Sequence, residues 1–271
     1  MPDRPHPFLQ HPGPIPIVHR GAPATTDAGV EDSADGGLVE NTMAAFQRAY
    51  DLGFRYFETD VHSTRDGVVV ASHDDSLRRV SGQRVSVSAL DWADLSHIPV
   101  GGEPLPRLAE LLATFPDVCF NVDPKADATV RPLVDLLRSH QVLHRVCVAS
   151  FSDQRLRFVR TALGPDLCTA AGPAEIRAAV TAVARGVDVR IPDANVLQIP
   201  RLLARRLPGV LRSRSDLLAA VQRVGIPVHV WTVNDEAEMA RLLHHGVDGV
   251  MSDDVDLLGR VFGQRGWQPA A

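Results

Sequence analysis

The chain has 271 residues, 45% of them hydrophobic and 5% aromatic, with a formal net charge of -5. That length suits one barrel-sized domain, and the apolar fraction supplies a core and excludes a disordered chain. Opposite charges alternate along the helix-like segments and no basic tail is present, which excludes a nucleic-acid footprint; a phosphate ligand would have to be met by a metal or by a few local cations.

Residues 1–12 are Pro-rich and are expected to form a disordered or loosely packed N-terminal segment. Residues 15–19 read as a first strand. Residues 21–39 are polar and rich in Gly, Asp and Ala, which predicts a mobile loop. Over 42–52, Ala44, Ala45, Phe46, Ala49 and Leu52 share one helical face, and Gly53 stops the helix. Residues 54–61 form a second strand. Residues 67–72, after the turn-former Asp66-Gly67, are extended and expected to pair with it as a small β-hairpin. A helix over 107–115 precedes a strand over 118–123, which Pro124 ends. Helix 129–139, strand 145–150 and helix 153–162 follow. Weaker strands are expected at 166–171 and 187–191, and 187–210 reads as a strand, a short helix or an irregular excursion. The pattern closes with helix 215–224, strand 227–233, helix 236–245 and strand 249–252.

Close to eight strand–helix units with no linker predict one domain over 1–271. Its class is α/β, a single (β/α)8 TIM barrel with a small hairpin insertion after the second strand; an open doubly wound sheet is the alternative. Cys119, Cys147 and Cys168 each lie in or beside an apolar run, without close spacing, and read as buried reduced thiols. No signal peptide and no run long enough to span a bilayer is read, so the expectation is a cytoplasmic protein without stable membrane insertion.

Polar residues recur where the strands end. His19 and Arg20 close the first strand, Glu58 and Asp60 the second, His73 and Asp74 the hairpin, and Asp123 and Lys125 the next strand. Period two puts Glu58 and Asp60 on one face, and likewise Asp123 and Lys125. In a parallel barrel these ends form one mouth. Each residue alone has a plain structural reading: a hydrogen-bonded histidine, a surface ion pair, a turn, or core for Trp231. Ionisable groups recurring at one end of successive strands are costly to bury without a partner. Three carboxylates without cysteine suit a hard divalent cation, Mg2+ or Ca2+. Arg20 and Lys125 can hold phosphate oxygens, and two histidines can exchange protons near neutral pH.

These residues resemble the glycerophosphodiester phosphodiesterase family. The resemblance runs through "VHRGA", "ENTMAAF", "FETDVHSTRDGVVVASHDDSLRRVSG", "NVDPK", "VHVWTVND" and "GVDGVMSDD", in that order and over nearly the whole chain. It implies a (β/α)8 barrel that hydrolyses a small-molecule glycerophosphodiester to an alcohol and glycerol 3-phosphate. It implies a metal on Glu58, Asp60 and Asp123, proton transfer by His19 and His73, and substrate contacts from Arg20, Glu40, Lys125 and Trp231. It also implies attack by the substrate's own 2-hydroxyl, with a cyclic phosphate opened by water, His19 accepting a proton and His73 donating one. Related barrels suggest an alternative, a lysophospholipase D or sphingomyelinase D-like phospholipid phosphodiesterase on the same site. Three departures stand out. Asp123 replaces the family's usual glutamate, Ser252-Asp253-Asp254-Val255 lacks the usual proline, and the span from His19 to Glu40 is long.

Overall fold

The computed structural model describes residues 6–21, 23, 25–26, 29–30, 38–201, 220–221 and 223–270. Its main sheet contains β1 (Ile15–His19), β2 (Tyr56–Ser63), β3 (Val69–Ala71), β4 (Cys119–Pro124), β5 (Val146–Val148), β6 (Cys168–Thr169), β7 (Leu197–Pro200), β8 (Val228–Trp231) and β9 (Gly249–Ser252). Eight of these run parallel in the order β6-β5-β4-β2-β1-β9-β8-β7. β3 lies antiparallel to the end of β2, with Val61 opposite Ala71 and Ser63 opposite Val69. The sheet is curled, and its outer strands approach one another. Ala170 and Val196 form an isolated parallel bridge. Beside it, the Ala171 N–H donates to Val196 O at 2.8 Å and the Asn195 N–H to Thr169 O at 2.9 Å.

The helices α1 (Met43–Asp51), α2 (Leu108–Thr114), α3 (Asp127–His140), α4 (Asp153–Leu163), α5 (Pro173–Ala184), α6 (Glu236–His244) and α7 (Val255–Gly263) alternate with the strands. They pack their apolar stripes on the convex face, where Phe46, Phe57, Phe115 and Phe120 interlock. Strand alternation sends Phe57 and Phe120 into that layer and turns Glu58 and Asn121 to the concave side. A second apolar cluster fills the concave side with Ile15, Ile17, Tyr56, Cys147, Cys168, Val196 and Met251. A third, smaller one lies under residues 74–107 and joins Leu77, Val87, Leu95, Val100 and Leu105.

Several elements depart from expectation. Pro7–Leu9 form a 3-10 turn, and Phe8 is only 1% exposed. Its ring meets Tyr56 edge-on and its carbonyl accepts from the Tyr56 hydroxyl at 3.0 Å. This part of the N-terminal segment is therefore packed, because an aromatic side chain finds the open end of the concave cluster; residues 1–5 lie outside the described residues. No strand forms at 187–191. The ladder instead uses 197–200, since only there do backbone groups meet β8 on one side while Val196 meets Ala170 on the other. Helix α5 was not anticipated: its Ala- and Val-rich run lacks a sharp polar face. The chain also continues beyond β9 into α7. Most of the expected helix at 215–224 lies outside the described residues, as does most of the long loop before Glu40. The cysteines are free thiols, and strand register places Cys147 directly beside Cys168.

Candidate active site

Parallel strands deliver their C-terminal ends to one rim. His19 ends β1 opposite Glu58, and Asp60 stands opposite Asp123 on β4. The turn after β1 takes Arg20 at φ 55° and Gly21 at φ 78°. A Cβ on Gly21 would come 2.8 Å from Ala45 Cβ, so glycine answers both the left-handed backbone and the close approach of α1. Asn41, also left-handed at φ 57°, donates its N–H to Arg20 O at 2.8 Å and accepts from the Thr59 hydroxyl at 2.9 Å. Thr42 then caps α1. In this way residues distant from His19-Arg20-Gly21 in sequence bring Glu40 behind Arg20.

A cavity of about 230 Å³ opens on the rim. Of the expected site residues, His19, Arg20, Glu58, Asp60, His73, Asp123, Lys125 and Trp231 line it. Glu40 does not. It is buried behind the wall, with its carboxylate 3.3 Å from Arg20 Nη1 and 2.6 Å from Arg79 Nη2. The cavity is two-sided. Acids, cations and imidazoles from β1, β2, the β3 end and β4 form one wall. Ala171, Pro173, Ile176, Pro200, Phe151 and Trp231 form much of the other. Phe151 is 67% exposed and meets Trp231 edge-on at 5.5 Å.

Charge is closely compensated on the polar wall. Lys125 Nζ lies 2.6 Å from Asp60 and 2.8 Å from Asp123, and Arg20 Nε lies 2.8 Å from Asp60 Oδ2. Burial alone would raise the Asp60 carboxyl, but Arg20 and Lys125 hold it below the ordinary range. Burial raises Asp123 despite Lys125. Glu58 is pushed up to about 8, first by burial and then by Asp60. His19 Nδ1 lies 2.5 Å from Asp253, which in turn accepts from Asn234 at 2.7 Å. Burial opposes protonation of His19, yet Glu58 and Asp253 raise its pKa above the ordinary value. Burial raises the Asp74 carboxyl, but hydrogen bonds from Arg79 and His73 and their charges together hold it below the ordinary range; an ionised carboxylate only accepts, so His73 Nδ1–H is the donor in their 2.8 Å contact.

Sequence reasoning assigned no role to Asp253, Asn234, Asp74, Arg79, Asn121 or Gln198. Asp253 follows a strand end, so the rule that found Glu58 would have found it. Gln198 belongs to a strand within 187–210, a stretch whose sequence leaves a strand, a short helix and an irregular excursion open, and its Nε2 donates to Asn121 at 2.9 Å on the cavity floor. Arg79 lies inside the segment that carries the family resemblance, but its spacing points to no role.

The donor set can be tested against a divalent cation. Among the described residues, no group of three His, Cys, Asp or Glu side chains is already gathered at metal-binding spacing; the Lys125 ammonium stands between Asp60 and Asp123. The chemistry nevertheless fits. Asp60 Oδ2 is buried without a hydrogen bond, since the nearby Arg20 N–H is not aimed at it. All three acids are all-oxygen donors of the kind hard cations take, and a cation would relieve the raised Glu58 and Asp123 carboxyls.

The cavity lies on the C-terminal rim of a parallel β/α sheet, where enzymes of that architecture keep their active sites, and its acids, fixed cations and two imidazoles are of a kind that suits a phosphate ester. Residues 19–257 match the glycerophosphoryl diester phosphodiesterase family, and the chain belongs to it; it is a phosphoric diester hydrolase. It is 35% identical over 269 residues to a probable glycerophosphodiester phosphodiesterase 2 of Mycobacterium tuberculosis, covering 97% of this chain and 96% of the relative. It is 26% identical over 248 residues to a lysophospholipase D of Homo sapiens, covering 79% of each. The fold superposes with TM-score 0.69 and 22% identity on a phosphodiesterase of Oleispira antarctica solved with the product sn-glycerol-3-phosphate, covering 93% and 97% of the two chains. Among the described residues no helix is long and apolar enough to cross a membrane.

Proposed function

We propose that this chain hydrolyses glycerophosphodiesters to an alcohol and glycerol 3-phosphate on a closed (β/α)8 barrel. The Ala170–Val196 bridge supports closure by linking the outer strands of the parallel path. The antiparallel β3 and the residues after it would be the insertion that carries His73 to the mouth. The observation that carries the activity is the pairing of two imidazoles on one cavity, each engaged at Nδ1 by a carboxylate, which leaves Nε2 for proton exchange.

Arg20 and Lys125 would bind the phosphoryl oxygens, with Glu40 holding Arg20 from behind. His19 would take the proton from the substrate's 2-hydroxyl as that oxygen attacks phosphorus. His73 would give a proton to the departing alcohol oxygen as its P–O bond breaks. The cyclic phosphate would then be opened by water, with the two imidazoles exchanging roles. A Mg2+ or Ca2+ ion on Glu58, Asp60 and Asp123 would supply positive charge toward the phosphate oxygens. Trp231 would close the apolar side.

The test is turnover of glycerophosphocholine, glycerophosphoethanolamine and glycerophosphoglycerol with Mg2+, Ca2+, Mn2+ or EDTA. Metal-dependent release of glycerol 3-phosphate is expected. His19→Ala or His73→Ala should each lower turnover about 10²–10⁴-fold. Silence on every diester with every metal would sink the reading. The apolar wall with the exposed Phe151 favours a second reading, a lysophospholipase D taking a hydrocarbon chain along that wall. A higher kcat/KM for a soluble short-chain lysophosphatidylcholine than for glycerophosphocholine would select it.

A further inference from the structure

Arg79 lies on the short helix Arg78–Ser81, within residues 74–107 and outside the cavity lining. Its fork reaches two acids that serve different parts of the site. Nη2 donates to Glu40 Oε1 at 2.6 Å, and Nε donates to Asp74 Oδ2 at 2.8 Å. The other oxygen of Asp74 accepts from His73 at 2.8 Å. Glu40 is 6% exposed and also faces Arg20 Nη1, but at the long distances of 3.3 and 3.4 Å. A continuous chain of polar contacts therefore runs from His73 through Asp74, Arg79 and Glu40 to Arg20, and on to Asp60 at 2.8 Å.

We propose that Arg79 is a positioning residue that sets His73 and Arg20 in register with one another, through Asp74 and Glu40 respectively. The inference rests on the reading of His73 as a proton donor and Arg20 as a phosphate ligand. Both segments are tied by backbone to β2, the Arg20 N–H donating to Glu58 O at 3.1 Å and the Ser72 N–H to Asp60 O at 2.9 Å, but that ladder does not orient the His73 and Arg20 side chains; the planar fork of Arg79 links those. Guanidinium geometry matters here. Two nitrogens at a fixed angle address two carboxylates at once, which a single ammonium on a flexible stem does not reproduce. Arg79 also shares the Glu40 charge. Without it the buried carboxylate has Arg20 as its remaining cationic contact among the described residues, and Arg20 is drawn back from Asp60 toward Glu40. Asp74 meanwhile loses the donor that fixes its carboxylate plane, and the half-exposed His73 ring is released. The small core beneath residues 74–107, with Leu77 close to Arg79 in sequence, keeps the short helix in place independently of these ion pairs.

The experiment compares the full chain with Arg79→Ala and Arg79→Lys, each alone and in the Asp74→Asn background. Two measurements are made: kcat and KM on glycerophosphocholine with the activating metal, and the His73 tautomer by imidazole nitrogen NMR. Arg79→Ala is expected to lower kcat about 10²-fold, the scale of a misplaced catalytic group, with a smaller rise in KM. It should cost much less once Asp74 is already Asn. Arg79→Lys should recover the melting temperature but not kcat. The tautomer should pass from Nδ1–H in the wild type to a mixture in Arg79→Ala. A kcat within about threefold of wild type for Arg79→Ala, full rescue by Arg79→Lys, or an unchanged tautomer would each overturn the proposal. Wild-type turnover is the separate control: if it is absent, the activity reading fails, while the tautomer arm still decides whether Arg79 orients His73.

Discussion

His19 is engaged on two sides, with Asp253 at Nδ1 and Glu58 at 3.6 Å from Nε2. A carboxylate at Nδ1 fixes which nitrogen carries the proton, and so which is free to accept one. Asp253→Asn retains the shape but removes the charge and can present its amide to the ring, favouring the wrong tautomer. We expect a fall in kcat approaching 10⁴-fold, the scale known for such a change in a histidine dyad, measured on glycerophosphocholine at constant folded fraction. His19, Glu58, Asp60, His73, Asp123 and Lys125 were legible because ionisable residues at strand ends of an apolar pattern are improbable without a purpose. Arg79 and Gln198 were not legible. The first joins nearby Asp74 to Glu40, which is far away in sequence, and the second lies in the stretch 187–210, whose pattern does not choose between a strand, a short helix and an irregular excursion.

At the scale of elements, two contacts can be tested through stability. Phe8 closes the end of the concave cluster, so Phe8→Ala should cost about 3–5 kcal/mol in denaturant unfolding, the range for emptying a buried phenylalanine site. A loosely packed N-terminus would show almost no change. β8 and β9 approach at His229 and Gly249, where an added Cβ would lie 2.7 Å from His229 Cδ2. Gly249→Ala should therefore cost about 1–3 kcal/mol by overpacking around a ring that has no room to turn. Strong elements such as β2, β4 and α3 were readable because burial imposes their periods of 2 and 3.6. α5 and β7 were not. One lacks a contrast between its faces, and the other is defined by partners on both sides more than by its own composition.

For the molecule as a whole, the pH dependence of stability contains opposing contributions. His229 is wholly buried, and burial lowers its pKa from 6.5 to about 4. The unfolded chain takes up that proton below 6.5 and the folded chain does not, so its contribution is complete above 6.5 and is lost as pH falls toward 4. The loss is roughly 3 kcal/mol. Glu58, raised to about 8 from 4.5, acts oppositely, and its contribution is lost as pH rises through that interval. Comparing wild type with His229→Gln by urea unfolding from pH 7 to pH 4, with chelator present, isolates the first contribution. The variant should lose less stability than wild type on acidification; parallel curves would show that His229 is protonated in the folded state.

The sequence by itself determined the alternation of strands and helices, the family, and the identity of the acids, cations and imidazoles, because hydrophobic period and local order are properties of neighbours along the chain. Only the tertiary structure decided that Lys125 stands between Asp60 and Asp123, that Asp253 engages His19, and that Arg79 joins Asp74 to Glu40. Each of these arrangements includes a distance between residues on different segments. Strand register and the packing of residues 74–107 fix them, and neither is encoded in the spacing of any one motif.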